Sequence, residues 1–425
     1  MRHTFAPLAA LLLGVALMLV GNGLQAVLVP FRAGAEMFSQ LSIGFIGASY
    51  FLGFTIGCLQ GGTLVRTVGH VRAFAAMTAA ASAVPLLQAL WVEPAPWFFF
   101  RAATGFCFAV LYIVIESWLN ERASNENRGT VFSTYIFISF GAMAAGQELL
   151  RVYDPSGVEL FALVAALVSL AAIPVALTRS PVPRLPEVAV INLRGLWRVS
   201  PSGLFGTLAS GLGNGAFWSL APLVAAGGAL DVSRTATFMS VALIGGAAGQ
   251  FPFGGLSDRV DRRHVISGVA ALGAAVSLAI WLAAGLDAGN LLLYALSFLW
   301  GMASFTIYPI SVAHSNDHAD PDDFVSVSAG LLFAYGAGAT VGPVLAALLM
   351  SVTSAPTLYL FIAVMYLPLA VFSLTRAYRY AQVPEAEQVA FYDALSASGT
   401  ASHAYEEEWS EQVLEEQAEA AAGNQ

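Results

Sequence analysis

Charged residues are scarce in this sequence. Asp, Glu and Arg make up 11% of its 425 residues, and lysine is absent, whereas a soluble globular chain carries about a quarter charged residues. Apolar residues make up 57% of the chain, and the mean hydropathy is +0.71. This composition excludes a soluble protein with one or two water-facing domains and indicates a chain embedded in a lipid bilayer.

Cysteines and enzymatic motifs are also scarce. The two cysteines, Cys58 and Cys107, fall in apolar segments, where we expect small core residues and no disulfide. The sequence has no G-x-x-x-x-G-K-[ST], H-E-x-x-H or G-x-S-x-G motif, so ATP hydrolysis and enzymatic chemistry have no support. Nothing indicates nucleic-acid binding, and no cofactor is expected.

One segment, AHSNDHADPDD from Ala313, carries metal-ligand types at helical spacing. His314 and His318 lie at positions i and i+4, which would allow them to share a metal ion. A third firm ligand is not evident, and Asp320 followed by Pro321 is typical of a turn. We therefore predict no metal site.

Long apolar runs dominate the chain. A run of 18 or more apolar residues can cross a bilayer as a helix. Twelve runs occur, at about 6–31, 41–63, 73–92, 97–119, 130–151, 157–178, 202–227, 235–256, 265–286, 289–313, 325–350 and 355–375. The first continues to Pro30, beyond the length of a signal-peptide core, so we interpret it as an uncleaved helix. The sequence predicts an all-α membrane protein with twelve transmembrane helices.

The arginines predict the orientation of these helices. If both termini are cytoplasmic, fourteen of the eighteen arginines fall on the cytoplasmic side. Arg32, Arg151 and Arg234 then fall outside, and Arg101 lies within a helix. Because cytoplasmic loops are enriched in basic residues, this asymmetry favours an N-in, C-in topology.

The second half of the sequence repeats the first. GNGLQAVLVP, from Gly21, matches GNGAFWSLAP, from Gly213, with an offset of 192 residues, and Gly, Asn, Gly and Pro recur at matched positions. Tyr112 and Tyr308 match at a slightly larger offset of 196. Two related six-helix halves around a central pocket are the architecture of alternating-access transporters.

The repeat divides the chain into four parts. They are an N-terminal six-helix bundle at 1–178, a polar cytoplasmic linker at 179–201, a C-terminal six-helix bundle at 202–375 and a cytoplasmic tail at 376–425. From residue 380 onward the tail has ten Asp or Glu and no Arg. Its repelling charges predict a solvated, disordered extension, with a partner-binding helix as the alternative.

A cluster of charge lies between the eighth and ninth predicted helices. Its sequence, GGLSDRVDRR from Gly254, resembles the signature G-x-L-a-D-r-x-G-r-k of the major facilitator superfamily, and GTLVRTVGHVR from Gly62 resembles a first copy. The resemblance implies the fold of that superfamily and a cytoplasmic gate, in which Asp258 bonds Arg259 or Arg262. The alternative is that the arginines only set the topology. The candidate gate residues are Gly62, Arg66, Gly69, Gly254, Asp258, Arg259 and Arg262.

A narrower resemblance accounts for Arg66, which stands where the signature has its acidic residue. The stretches SYFLGFTIGCLQGGTLVRTVGHVR, IESWLNERASNENRGTVFSTY and SFTIYPISVAH resemble the YcaD-type family of major facilitator transporters. That family has a basic residue at this position, and its substrates are not established. The resemblance therefore implies a fold and a class of mechanism, and leaves the substrate open.

The fourth predicted helix carries the candidate coupling residues. Arg101, Tyr112 and Glu116 share one helical stripe, and a charge within the bilayer normally faces a cavity or a partner. The stretch 101–105 resembles the R-x-x-q-G motif of the superfamily, whose arginine is associated with proton coupling. Glu116 is our candidate proton carrier, and a structural pair with a loop arginine is the alternative.

We expect a pocket between the first, fourth, seventh and tenth predicted helices. Amide, indole and phenol groups can orient a polar solute while flat side chains pack against it. The same groups often serve only to hold helices together. The candidate pocket residues are Asn22, Gln25, Tyr112, Asn214, Trp218 and Tyr308.

These observations predict a secondary active transporter of a small solute, coupled to protons and working by alternating access in a bacterial inner membrane. Its partners would be the substrate, protons and the lipid bilayer, and a monomer is the default. Uptake and efflux both stay open. A membrane sensor or scaffold that signals through the acidic tail is the alternative function.

Overall fold

The computed structural model describes residues 2–122, 128–177, 191–227, 231–285, 289–320 and 324–383, together with residues 388 and 391. Over these residues the chain forms α-helices, one short 3-10 helix, turns and bends, and no strand. Most of the predicted linker and most of the predicted tail lie outside the described residues.

Every predicted apolar run coincides with one helix or, in the sixth run, with two. The helices of the first half are α1 (Arg2–Ala35), α2 (Gln40–Val68), α3 (His70–Leu90), α4 (Pro94–Arg122), α5 (Arg128–Glu148), α6 (Glu159–Leu170) and α7 (Ala172–Leu177), with a 3-10 helix at Leu149–Arg151. Those of the second half are α8 (Leu193–Val199), α9 (Pro201–Ala226), α10 (Val232–Ser257), α11 (Arg262–Gly285), α12 (Asn290–Asn316), α13 (Phe324–Ser351) and α14 (Thr357–Arg379). In the described part of the chain, nine helices are long and apolar enough to cross a membrane.

The sixth run and the start of the tail differ from the sequence prediction. The sixth run is divided, because α6 ends at Leu170 and α7 begins at Ala172. Pro174 has no backbone N–H to donate to Leu170 one turn earlier, and its ring crowds that carbonyl, which favours a break. At the other end of the chain, α14 continues to Arg379, four residues into the predicted tail.

The packing of the helices repeats between the two halves. In the first half α1 packs on α5, α2 on α4 and α3 on α6. In the second half α9 packs on α13, α10 on α12 and α11 on α14, which are the equivalent pairs. The internal repeat of the sequence is therefore also a repeat of structure.

Matched glycines allow two of these equivalent helix pairs to approach closely. Gly105 of α4 lies against the backbone carbonyl of Tyr50 in α2. Gly301 of α12 lies in the same way against the carbonyl of Ala242 in α10. A Cβ atom at either position would overlap the carbonyl oxygen, so glycine sets the spacing of both pairs.

The two halves meet where α2 packs on α13 and where α5 packs on α10. We call the end of the molecule that holds residues 36–39 and 149–158 the first-loop end. The opposite end, which holds Gly69 and residues 258–261, is the charge-cluster end; α2 runs from the first to the second. Near the first-loop end, Gly44 of α2 lies against Pro343 and Ala347 of α13.

Candidate functional site

A cavity of about 400 Å³ lies between the two halves of the chain. This volume is in the range of pockets that hold small organic molecules. Helices α1, α2, α4 and α5 line it from the first half, and α9, α10, α12 and α13 line it from the second. Its described lining is mainly apolar and aromatic, with one arginine and one glutamate, Arg101 and Glu116.

Five of the six predicted pocket residues line this cavity. They come from α1, α4, α9 and α12, and they are Asn22, Tyr112, Asn214, Trp218 and Tyr308. The structure places the sixth, Gln25, elsewhere: its buried side-chain amide donates to Gln88 Oε1 of α3 at 2.9 Å. Gln25 therefore joins α1 to α3 and is not part of the described cavity wall.

Asn214 is held by hydrogen bonds to neighbouring side chains. Its Oδ1 accepts from Ser304 Oγ of α12 at 2.7 Å, and its Nδ2 donates to Ser210 Oγ at 3.1 Å. Ser304 also bonds the hydroxyl of Tyr366 in α14. Because the protein itself uses much of the bonding capacity of this amide, Asn214 mainly fixes the shape of the wall.

Aromatic residues that the sequence did not single out complete the wall. Trp218 stacks on Phe305, with ring centroids 5.7 Å apart and planes 25° from parallel. Tyr308 meets Tyr335 edge to face at 4.9 Å. Nothing distinguished Phe305 and Tyr335 in a chain that is 12% aromatic. Together these rings offer flat apolar surfaces with phenol groups at their edges.

Arg101 brings an isolated positive charge to the cavity. Its side chain is buried, and the guanidinium carbon lies 4.5 Å from the centre of the Tyr50 ring. Its Nη1 is buried without a hydrogen-bond partner, and no described carboxylate forms an ion pair with it. A charge in the middle of a bilayer costs about 2.5–3.5 kcal/mol on insertion scales, and the cation–π contact offsets only part of such a cost.

Glu116 brings a carboxylate to the same cavity. It is buried, and its Oε1 accepts a hydrogen bond from the Tyr135 hydroxyl of α5 at 3.3 Å. Fifteen residues of α4 separate it from Arg101, which is roughly 22 Å along the helix axis. Arg101 is nearer the first-loop end and Glu116 nearer the charge-cluster end, so the two charges act at different depths of one cavity.

The charge cluster has Arg262 at its centre. This buried arginine donates from Nε to Asp317 at 2.7 Å, pairs with Asp258 at 3.2 Å and donates from Nη1 to Ser257 Oγ at 3.1 Å. The sequence suggested Asp258 as a partner, and it gave no reason to choose Asp317. All of these partners belong to the second half of the chain.

A second buried arginine of the cluster, Arg263, ties it to the end of α14. It pairs with Asp261 at 2.7 Å and donates to the carbonyls of Arg376, Tyr380 and Ala381. Partial burial raises the pKa of the Asp261 carboxyl, but the hydrogen bonds and charge of Arg263 outweigh it and keep that pKa below its usual value. Asp261 stands where the superfamily signature has a glycine, and here it is the partner of an arginine.

The remaining candidate gate residues have other surroundings. Arg66 and Arg259 are exposed, and Gly62 faces open space. Gly69 ends α2 with a φ of 88°, a left-handed conformation that favours glycine, and its N–H bonds the carbonyl of Val65. Gly254 lies against the ring of Phe391.

The first-loop end carries an ion pair within the first half whose two members are hydrogen-bonded to the second half. Glu148 and Arg151, three positions apart, pair at 2.7 Å. Glu148 also accepts from Ser240 Oγ of α10, and Arg151 donates to the Ser233 carbonyl at 3.3 Å and to the Thr237 hydroxyl. These hydrogen bonds cross from the first half to the second. Sequence reasoning missed them because serine and threonine in an apolar helix carry no pairing signal.

The segment considered for a metal site holds two histidines whose rings meet edge to face. The rings of His314 and His318 lie 4.5 Å apart, and His318 Nδ1 lies 2.9 Å from the carbonyl oxygen of His314. Within the described ranges, no three His, Cys, Asp or Glu residues are grouped so that they could hold a metal ion.

The fold and the cavity define an integral membrane transporter built from two related helical halves. The family described as "Major Facilitator Superfamily" matches residues 203–414, and the family described as "Sugar (and other) transporter" matches residues 14–185. An uncharacterized MFS-type transporter of Yersinia pestis is 26% identical over 363 residues, which cover 84% of this chain and 92% of that protein. The uncharacterized MFS-type transporter YcaD of Escherichia fergusonii is also 26% identical, with the same coverage. The chain belongs to the major facilitator superfamily, whose members are transporters and not enzymes.

Solved structures of other transporters share this fold. The nucleoside transporter NupG superposes with a TM-score of 0.73 at 13% identity and covers 88% of this chain and 100% of its own. A bacterial homologue of the human lysosomal transporter Spinster gives a TM-score of 0.68 at 13% identity, covering 93% of this chain and 97% of its own. The Escherichia coli fucose:proton symporter FucP gives 0.56 at 17% identity, covering 88% of this chain and 99% of its own. These likenesses establish the fold only. The family to which the chain belongs makes it a secondary transporter of a small molecule.

Proposed function

We propose that this protein is a proton-coupled secondary transporter that works by alternating access. One observation carries the proposal: a cavity lies between two repeated halves, and the halves are bonded to each other at the first-loop end. The two moving bodies would be the bundles 1–178 and 202–375, joined by the linker 179–201 and followed by the tail 376–425. Rocking one bundle against the other would break the contacts at one end and form contacts at the other.

We place the first-loop end outside the cell and the charge-cluster end in the cytoplasm. The arginine distribution supports this N-in, C-in topology with twelve membrane crossings. Bacterial relatives support a bacterial inner membrane, and the default assembly is a monomer. In this orientation, the hydrogen bonds of Glu148 and Arg151 to α10 would hold the outer side of the cavity closed.

Glu116 is the proposed proton carrier, and Arg101 is its coupling partner at a different depth of the cavity. A cavity-lining carboxylate can take a proton from one side of the membrane and release it to the other. The Tyr135 hydroxyl donates to this carboxylate and would hold its orientation through the cycle. Asp258, Arg262 and their neighbours would close the cytoplasmic side when the bundles rock.

Proton movement in reconstituted vesicles tests this proposal. The purified chain is first screened for solutes that raise its melting temperature in acidic and in neutral buffer, and each solute that binds is then added to proteoliposomes containing a pH-sensitive dye. We expect a substrate gradient to drive proton movement. Glu116→Gln should keep the substrate-induced stabilisation and lose the proton signal.

Two variants at exposed sites control for the effects of handling and reconstitution. Arg194→Gln and Arg198→Gln change charge at exposed sites and should leave proton movement coupled to the substrate. If Glu116→Gln moves protons with its substrate as well as the native protein does, Glu116 is not the carrier. If no solute that binds crosses the vesicle membrane, the transport proposal itself fails.

Sensing is a second candidate function, favoured by one contact of the tail. Phe391 is buried, its ring lies against Gly254, and its backbone N–H donates to Asp258 Oδ1 at 2.9 Å. The tail thus reaches the charge cluster, where it could report a change in the bundles. Deleting residues 380–425 distinguishes the functions: a transporter keeps its substrate flux, whereas a sensor keeps ligand binding and loses its downstream output.

A further inference from the structure

We infer that the cavity binds an aromatic or otherwise apolar monocarboxylate, whose carboxylate group pairs with Arg101. The inference rests on the proposed transport function and names the chemical class of the substrate. It follows from how this arginine is buried, from the other charges of the cavity and from the nature of its walls.

Arg101 differs from the other buried arginines. Arg262 and Arg263 are 2% and 3% exposed, and each has a carboxylate within 2.7 Å. Arg101 is 7% exposed, has no carboxylate partner among the described residues, and keeps a buried Nη1 without a hydrogen bond. A buried guanidinium is normally compensated by an anion, and here the cavity is the place from which one can come.

The contact with Tyr50 leaves the edge of the guanidinium available. The aromatic ring covers one face of the group, with the guanidinium carbon 4.5 Å from its centre. Hydrogen bonds to a carboxylate are made in the plane of the guanidinium, through its N–H groups. Because Nη1 itself is buried, a substrate carboxylate would bind the other in-plane N–H groups of the guanidinium, Nε and Nη2, without displacing the ring.

The charges of the cavity favour a single negative charge on the substrate. Arg101 is the one cationic side chain in the described lining, so a doubly charged phosphate would keep uncompensated charge. Glu116 lines the same cavity farther along α4, and it would repel a second carboxylate when ionised. Both facts select a monoanion.

The walls of the cavity favour a substrate that is apolar apart from its carboxylate. The stacked pair of Trp218 and Phe305 presents flat surface to the cavity, and Phe140 and Tyr308 extend it. Such surfaces bind planar apolar groups well and give a sugar little to bond. A cavity of about 400 Å³ has room for a carboxylic acid with one or two rings.

A matched series of indoles tests the charge requirement directly. Indole-3-acetate, indole-3-acetamide and tryptamine carry the same ring with a negative, a neutral and a positive side group. Each is titrated into the full-length protein in nanodiscs, with binding measured by calorimetry. We expect the acetate to bind at least tenfold more tightly than the amide, and tryptamine to bind most weakly. 3-Phenylpropionate and its amide repeat the comparison with a smaller ring.

Variants of Arg101 show whether this residue recognises the negative charge of the ligand. Arg101→Gln should weaken the carboxylates at least tenfold and leave the amides within about twofold, which a merely misfolded variant would not do. Arg101→Lys keeps the charge and should recover part of the affinity for carboxylates. Arg194→Gln, a change at an exposed arginine, should alter neither series.

Three outcomes overturn the inference: amides or amines that bind as tightly as the acids, carboxylate binding that is unchanged in Arg101→Gln, or no binding of any acid of the series. Flux assays keep the two proposals separate. Carboxylates that bind without crossing the vesicle membrane would contradict transport and leave the binding class intact. Proton-coupled flux of a neutral or cationic solute would support transport and reject the carboxylate class.

Discussion

The two ends of this molecule use charge in opposite ways. At the charge-cluster end, Arg262 is buried with Asp317 and also pairs with the half-buried Asp258, and all three lie in the second half of the chain. At the first-loop end, Glu148 and Arg151 are more than a third exposed, and their hydrogen bonds cross between the halves. One cluster is deep and internal to a bundle, while the other is shallow and spans the interface.

This difference separates two tasks. A buried pair inside one bundle is strongly coupled to the folding of that bundle, because removing one partner leaves a charge without compensation. Exposed polar contacts across an interface contribute little to folding, and they can break and reform at small cost. The first-loop end is therefore suited to opening during a transport cycle, and the charge-cluster end keeps its internal structure while the bundles move.

The largest effect is expected from Arg262→Met. The change removes the guanidinium from a side chain that is 1% exposed and leaves Asp317, 3% exposed, without its ion pair. Breaking a buried pair from one side costs about 3–5 kcal/mol, so we expect a large drop in melting temperature and in the yield of folded protein. Thermal unfolding in detergent, followed by circular dichroism and size-exclusion chromatography, measures the loss.

The exposed neighbour provides the control for this prediction. Arg259→Met removes the same charge from the loop next to α11 and should change stability by about 0.5 kcal/mol or less. The double variant Arg262→Met with Asp317→Leu removes both charges and should recover much of the lost stability. Equal effects of the Arg259 and Arg262 changes would contradict the description of a buried internal cluster.

The contrast also explains what the sequence could predict. Apolar runs are a local property, so they located the helices, and the spacing of Arg101, Tyr112 and Glu116 on α4 placed three residues in one cavity. Spacing along one helix is fixed by geometry before any packing occurs. The break before Pro174 was missed because prolines also occur within other helices of this chain, including Pro85 in α3.

Contacts between distant segments were beyond that reasoning. Arg262 and Asp317 are 55 positions apart, and Ser240 and Glu148 are 92 apart. These pairs depend on which faces of the helices meet, and no local pattern encodes that choice. Gln25 illustrates the same limit, because a rotation of α1 decides whether it faces the cavity or Gln88 in α3.

A smaller effect is expected from Ser240→Ala at the first-loop end. The change removes the hydrogen bond from Ser240 to Glu148 that joins α10 to α5. Because Glu148 is 37% exposed, we expect the free energy that favours a closed first-loop end to fall by about 1 kcal/mol. This loss shifts the equilibrium toward an open first-loop end roughly fivefold and changes the melting temperature little.

Distances between spin labels measure this shift. Met37 and Val352 are 86% and 76% exposed, lie at the first-loop end and belong to different halves, so one label on each reports the separation of the halves. Cys58 and Cys107 are first replaced by serine and alanine. Ser351→Ala removes a hydrogen bond within α13 alone, to the Leu348 carbonyl, and should leave the distances unchanged. A short-distance population that is the same in native and Ser240→Ala protein would reject a closing role for this bond.

The smallest effect is expected from Arg151→Gln, and salt should reveal its origin. The pair with Glu148 is 39% and 37% exposed, and a glutamine can still donate to Ser233 or Thr237 of α10, so the change should cost at most about 1 kcal/mol and open the first-loop end only slightly in dilute buffer. Salt screens exposed charges and leaves buried pairs almost unaffected. The native label distances should therefore approach those of Arg151→Gln as ionic strength rises, while the deficit of Arg262→Met in melting temperature should persist. If salt instead erases the Arg262 deficit and leaves the Arg151 difference intact, the assignment of deep and shallow charge to the two ends is reversed.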